Sequence, residues 1–151
     1  MKKLLIISMI ILCLTACFGD AAPPVSYSTA ELAEAVKESV DFPVMVEHTG
    51  EDIEIFVGFK LGYAEEITVF QQALTVHLVE IIVVKPEAGS MDNVMRFLQQ
   101  RQASLRETAA LYPLQQAAIE ASVVGSKGGI AYFICHENAP AAEAALIDKL
   151  S

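Results

Sequence analysis

Residues Glu65–Pro86 read EEITVFQQALTVHLVEIIVVKP, and this stretch decides the fold. Ile67 to Gln71 alternate as one strand. Val76 to Lys85 form a longer strand dense in β-branched residues, which suit a pleated sheet. The link through Gln72, Ala73 and Leu74 is short, so the two strands pair antiparallel. Both faces of the second strand are largely apolar, which places it centrally in its sheet. Glu80 sits in its middle, on the same face as Val76, Leu78, Ile82 and Val84.

Upstream, STAELAEAVKESV (Ser28–Val40) reads as a helix. Ser28 and Glu31 have the spacing of a capping box. Leu32, Val36 and Val40 share one face, and Pro43 limits the end. HTGEDIEIFVGFKLGY (His48–Tyr63) fits two patterns, with a slight preference for a helical turn over a strand. Downstream, SMDNVMRFLQQRQASLRETAALYP (Ser90–Pro113) is a long helix. Its apolar stripe is Met91, Val94, Leu98, Leu105 and Ala109, and LQQAAIEA (Leu114–Ala121) adds a further turn. ASVVGSKGGIAYFICHE (Ala121–Glu137) is a second hairpin turning at Gly128-Gly129. APAAEAALIDKLS (Ala139–Ser151) closes the chain as a helix with Pro140 in its first turn. The order α-β-β-α-β-β-α predicts an α+β fold. Its economical form is a four-stranded antiparallel sheet of two hairpins with helices packed on one face.

The N-terminus has a different character. Lys2 and Lys3 precede an apolar run from Leu4 to Leu12 that only Ser8 interrupts. Gly19-Asp20 and Pro23-Pro24 break it before the ~20 residues of a spanning helix. Charge, apolar run and small residues follow the order of a secretory signal. It ends Leu14-Thr15-Ala16-Cys17, which is similar to the bacterial lipobox. That likeness implies cleavage between Ala16 and Cys17 and a diacylglyceryl group on the Cys17 thiol, since two acyl chains anchor where one is marginal. The expected organisation is a signal over 1–16, an anchor and Pro-containing tether over 17–27, and one α+β domain over 28–151. The expected location is the extracytoplasmic face of the cell membrane, with the membrane itself as partner through Cys17.

Composition narrows the function classes. The chain of 151 residues carries a formal charge of −9, which becomes −11 when Lys2 and Lys3 leave with the signal. From Asp20 to Glu66 eleven acidic residues face only Lys37 and Lys60. Such a chain is repelled by nucleic acid and by anionic headgroups. Cys13 leaves with the signal and Cys17 takes lipid, so Cys135 has no disulfide partner. Its apolar surroundings in IAYFIC suit a buried, inert thiol.

The segments EIIVVKP (Glu80–Pro86), LYPLQQAAIE (Leu111–Glu120) and the Gly turn followed by IAYFIC, with the long polar helix between them, resemble a family of small uncharacterised lipoproteins of Gram-positive, clostridia-type bacteria that carry a domain of unknown function. The resemblance implies a location and a fold and brings no reaction, so no catalytic residue is carried over.

Candidate chemistry centres on Glu80. A mid-strand carboxylate must find a partner or hold a proton. Lys85, Arg96, Arg101 and Tyr112 are the candidate partners, and a structural ion pair or exposure at a strand edge is the simpler reading than a ligand-binding carboxylate. Tyr112-Pro113 reads as architecture, docking the end of the long helix against the sheet; Glu80 and Tyr112 stand as the candidate binding residues. His48, His77 and His136 lack metal-ligand spacing, and His77 falls on the opposite strand face from Glu80. Arg96, Arg101 and Arg106 stand five apart and fan around the helix. GSKGG lacks the full phosphate-loop motif, and nothing matches a nucleophile elbow. No cofactor or metal is expected. The leading expectation is a non-enzymatic, membrane-anchored binding or accessory module for an envelope protein or small ligand. The alternatives are a small extracytoplasmic enzyme using Glu80 and a structural envelope protein.

Overall fold

Ser28 starts the first helix as its capping box requires. The Glu31 amide donates to Ser28 Oγ (3.2 Å) and the Ser28 amide donates to Glu31 Oε2 (2.8 Å). In this computed structural model, residues 27–73, 78–109 and 115–151 are described. The expected signal and most of the tether therefore lie outside the described residues. Helix α1 spans Thr29–Ser39. A strand β1 follows at Met45–His48, then a π-helical turn at Ile53–Val57 closed by Gly58 at φ 80°, and a 3-10 turn at Leu61–Tyr63. Strands β2 (Ala64–Gln72) and β3 (Glu80–Pro86) come next. Helices α2 (Met91–Ala109) and α3 (Gln116–Ala121), strands β4 (Val123–Lys127) and β5 (Ile130–Cys135), and helix α4 (Ala139–Lys149) complete the order. Among the described residues no helix is long and apolar enough to cross a membrane.

The sheet runs β1-β2-β3-β5-β4, with every neighbouring pair antiparallel. It has five strands, not four. The additional one, β1, is only four residues long, and its apolar signal is cut by Glu47. It gains its ladder from β2, against which Val46 faces Gln71 and His48 faces Val69. The predicted hairpin at Gly128-Gly129 stands, with both glycines at positive φ (59° and 83°) as a tight turn demands.

The helices cover both faces of the sheet, which corrects the one-face expectation. Ile81, Val83, Ile130, Tyr132 and Ile134 pack beneath α1 and α4. Ile82, Val84, Ala131, Phe133 and Cys135 pack beneath α2 and the π turn. Ile81 and Ile82 are adjacent in sequence, and both are 0% exposed. Each gains about 2 kcal/mol from burial, so neither face of β3 is left to water. A buried hydroxyl contact ties α1 to the sheet, Thr29 Oγ1 to Thr68 Oγ1 at 2.9 Å. The Thr29 amide donates to Glu66 Oε1 beside it at 3.0 Å.

Candidate functional site

Register sets the floor of the site. Val46, Gln71, Glu80 and Cys135 are successive cross-strand partners, so their side chains share the α2 face. Helix α2 rests on β3, β5 and β4 and leaves the β1 end of that face open. The result is a cleft of about 420 Å³. Gln71, Leu78 and Glu80 line its inner end, with Arg101 and Leu105 from α2 on one wall. Val46, His48 and Phe56 line the other. That outer wall is held together by ring contact between His48 and Phe56, whose centroids lie 5.1 Å apart.

Glu80 is 2% exposed. Arg101 Nε donates to Glu80 Oε2 at 3.0 Å, and Gln71 Nε2 donates to Oε1 at 3.2 Å. Burial raises the Glu80 pKa above its usual value, and the charge and hydrogen bond of Arg101 only partly offset this. The two influences oppose each other: the ion pair favours the carboxylate, desolvation favours the acid. Desolvation prevails because the carboxyl is enclosed, while the Arg101 side chain keeps 20% exposure. Among the described residues Arg101 donates only through Nε. Its planar fork also carries Nη donors, and such a fork suits bidentate contact with an anionic or carbonyl oxygen. The cleft therefore pairs an anchored guanidinium with apolar walls.

Of the four partners proposed for Glu80, the structure selects Arg101. Lys85 pairs with Glu65 instead, at 2.6 Å. Arg96 donates to Asn93 Oδ1 (3.3 Å) and lines a separate cleft of about 360 Å³ with Lys60, Tyr63 and Phe97. Arg96 and Arg101 thus fan apart as their spacing of five requires. Tyr112 and His77 lie outside the described residues. His136 is buried, rests on Phe42 with centroids 4.4 Å apart, and its Nδ1 accepts from the Asn138 amide at 3.1 Å. It belongs to the turn before α4 and not to the cleft. Cys135 is fully buried, and its thiol is pushed up to about 12 by burial and by the negative charge of Glu80. Val46, His48, Phe56 and Gln71 were missed as site residues. Gln71 was not legible either: the expected short link through Gln72, Ala73 and Leu74 would set it opposite residues near Val76, whereas β3 begins at Glu80 and the observed register sets Gln71 opposite that residue. Nothing local marked the other three.

These features define an antiparallel α+β domain with both sheet faces covered and an open cleft at one sheet edge. Residues 38–136 match a domain of unknown function, DUF4358, and the chain belongs to that family. No curated protein and no solved structure matches the chain. The matched residues contain both cleft walls and the Glu80–Arg101 pair.

Proposed function

We propose that this protein is a lipid-anchored, extracytoplasmic binding module whose small ligand enters the cleft over Glu80. The observation that carries the binding reading is the buried Glu80 carboxylate holding Arg101 at the base of an apolar-walled cleft. Glu80 orients the guanidinium, and Arg101 meets a polar oxygen of the ligand. Val46, Phe56, Leu78 and Leu105 take its apolar body. A carboxylate already engaged by Arg101 and Gln71 is poorly placed to abstract a substrate proton, which favours binding over the enzymatic alternative. The anchor at Cys17 rests on the signal and lipobox pattern of residues 1–17.

Ligand-observed NMR of the full chain in uncharged micelles, against small aromatic and aliphatic carboxylates and amides, tests the cleft. Hits should weaken by roughly tenfold in Arg101→Gln, the size of one lost charge-assisted hydrogen bond. They should also be blocked by Val46→Trp, which fills the mouth. The absence of hits, or hits indifferent to both changes, would remove the cleft as a binding site.

A further inference from the structure

Five large apolar side chains are conspicuously exposed among the described residues, and four of them fall between residues 44 and 56. They are Val44 (79%), Val46 (46%), Ile55 (69%) and Phe56 (58%). Val44 and Val46 stand on or beside the edge strand β1, and the His48–Phe56 ring contact brings the π turn against that strand. Folding therefore gathers them at one end of the sheet instead of scattering them. Grouped apolar exposure of this kind marks contact surfaces on soluble domains.

The charge carried by this segment is of one sign. Between Asp41 and Phe59 stand Asp41, Glu47, Glu51, Asp52 and Glu54, with no Lys or Arg. All five are exposed, and among the described residues none enters a salt bridge. The backbone adds a third element. The Val44 carbonyl accepts from the Ala73 amide, so by antiparallel alternation the amides and carbonyls of Met45 and Glu47 face outward. An exposed strand edge with apolar neighbours is a template for an added strand.

We infer that this acid-ringed apolar edge is the docking surface for a partner protein, through an extended segment that alternates apolar and Lys or Arg residues. Its apolar side chains seat against Val44, Val46 and Ile55, and its cations meet Glu47, Glu51 and Asp52. Charge complementarity selects this occupant over the others. A second copy would set five unopposed carboxylates against five. An anionic lipid surface would be repelled in the same way. The surface adjoins the cleft and shares Val46 with it, but Val44 and Ile55 do not line the cleft, so changes at those two tell the two sites apart.

The test uses the full chain in uncharged micelles and a fluorescent synthetic peptide alternating Lys with Val and Leu, with a Glu-for-Lys version as its counterpart. Anisotropy should show the Lys peptide binding and the Glu peptide failing to bind, with an affinity that falls as salt rises. Val44→Ser combined with Ile55→Ser changes exposed positions only, and should weaken binding by roughly tenfold or more. Glu47→Lys with Glu51→Lys should reverse the preference between the two peptides. Arg101→Gln should leave peptide binding unchanged, which separates this surface from the cleft. No binding of the Lys peptide, or binding undiminished by the paired Ser changes, overturns the inference. So does a dimer in sedimentation, or adsorption to phosphatidylglycerol vesicles, that the paired Ser changes abolish.

Discussion

Among the described residues, removing Arg101 leaves the enclosed Glu80 with only the Gln71 amide donating to it. Arg101→Met should therefore destabilise the fold by about 3 kcal/mol in urea unfolding at neutral pH, the size of an orphaned buried charge. Pairing it with Glu80→Leu should recover most of that loss, because both charges then leave together. Glu80 also imposes a pH dependence of known sign. Its carboxyl titrates near 4.5 when unfolded and higher when folded, so the folded state holds the proton more tightly. The stability from that proton is fully present below about pH 4.5 and is lost as pH rises through the folded value. Stability of Glu80→Gln, measured across the same range, should lack this decline. At this scale the sequence was informative about Glu80 and about the buried Cys135. A carboxylate among Ile and Val announces itself, whereas Arg101 looks like any other arginine of a polar helix. Its selection over Lys85 and Arg96 depends on how α2 is rotated above β3.

Strands and helices were legible wherever a local pattern agreed with its surroundings. The capping box at Ser28, the Gly128-Gly129 turn and the long helix after Ser90 all carry their own chemistry. Strand β1 carries too little, and exists because β2 offers it a ladder. Packing also places demands that no local pattern reveals. Gly125 in β4 faces Tyr132 in β5, and a Cβ there would stand 2.4 Å from the Tyr132 hydroxyl oxygen. That hydroxyl donates to Glu143 Oε1 of α4 at 2.7 Å. Gly125→Ala must displace the ring and break this link. A loss of about 2 kcal/mol is expected, typical of overpacking. Thermal unfolding would show it, and Gly125→Ala with Tyr132→Phe should not restore stability, because the ring itself lacks room.

For the whole molecule, the proposed anchor makes the most direct prediction. Protein purified from membranes should have an intact mass that begins at Cys17 and includes a diacylglyceryl group, and Cys17→Ala should lose both the lipid and the membrane association. A mass without the diacylglyceryl group would remove the proposed lipid anchor. The proposed anchor would bear on the acidic edge as well, because a tethered module would meet envelope partners at high local concentration.

By itself, the sequence determined the elements that are chemically self-contained: the α+β class, the antiparallel pairing of β2 with β3 and the capped start of the first helix. It also held an unused sign of the two-sided cover, since Ile81, Ile82, Val83 and Val84 place apolar side chains on both faces of one strand, and each face needs its own layer. The tertiary structure decided the rest. Which helix lies on which face, which arginine reaches Glu80, and where the sheet is left uncovered all depend on contacts between residues far apart in the chain. Such contacts are set by the shape of the packed whole, and neither spacing nor composition within one segment encodes them.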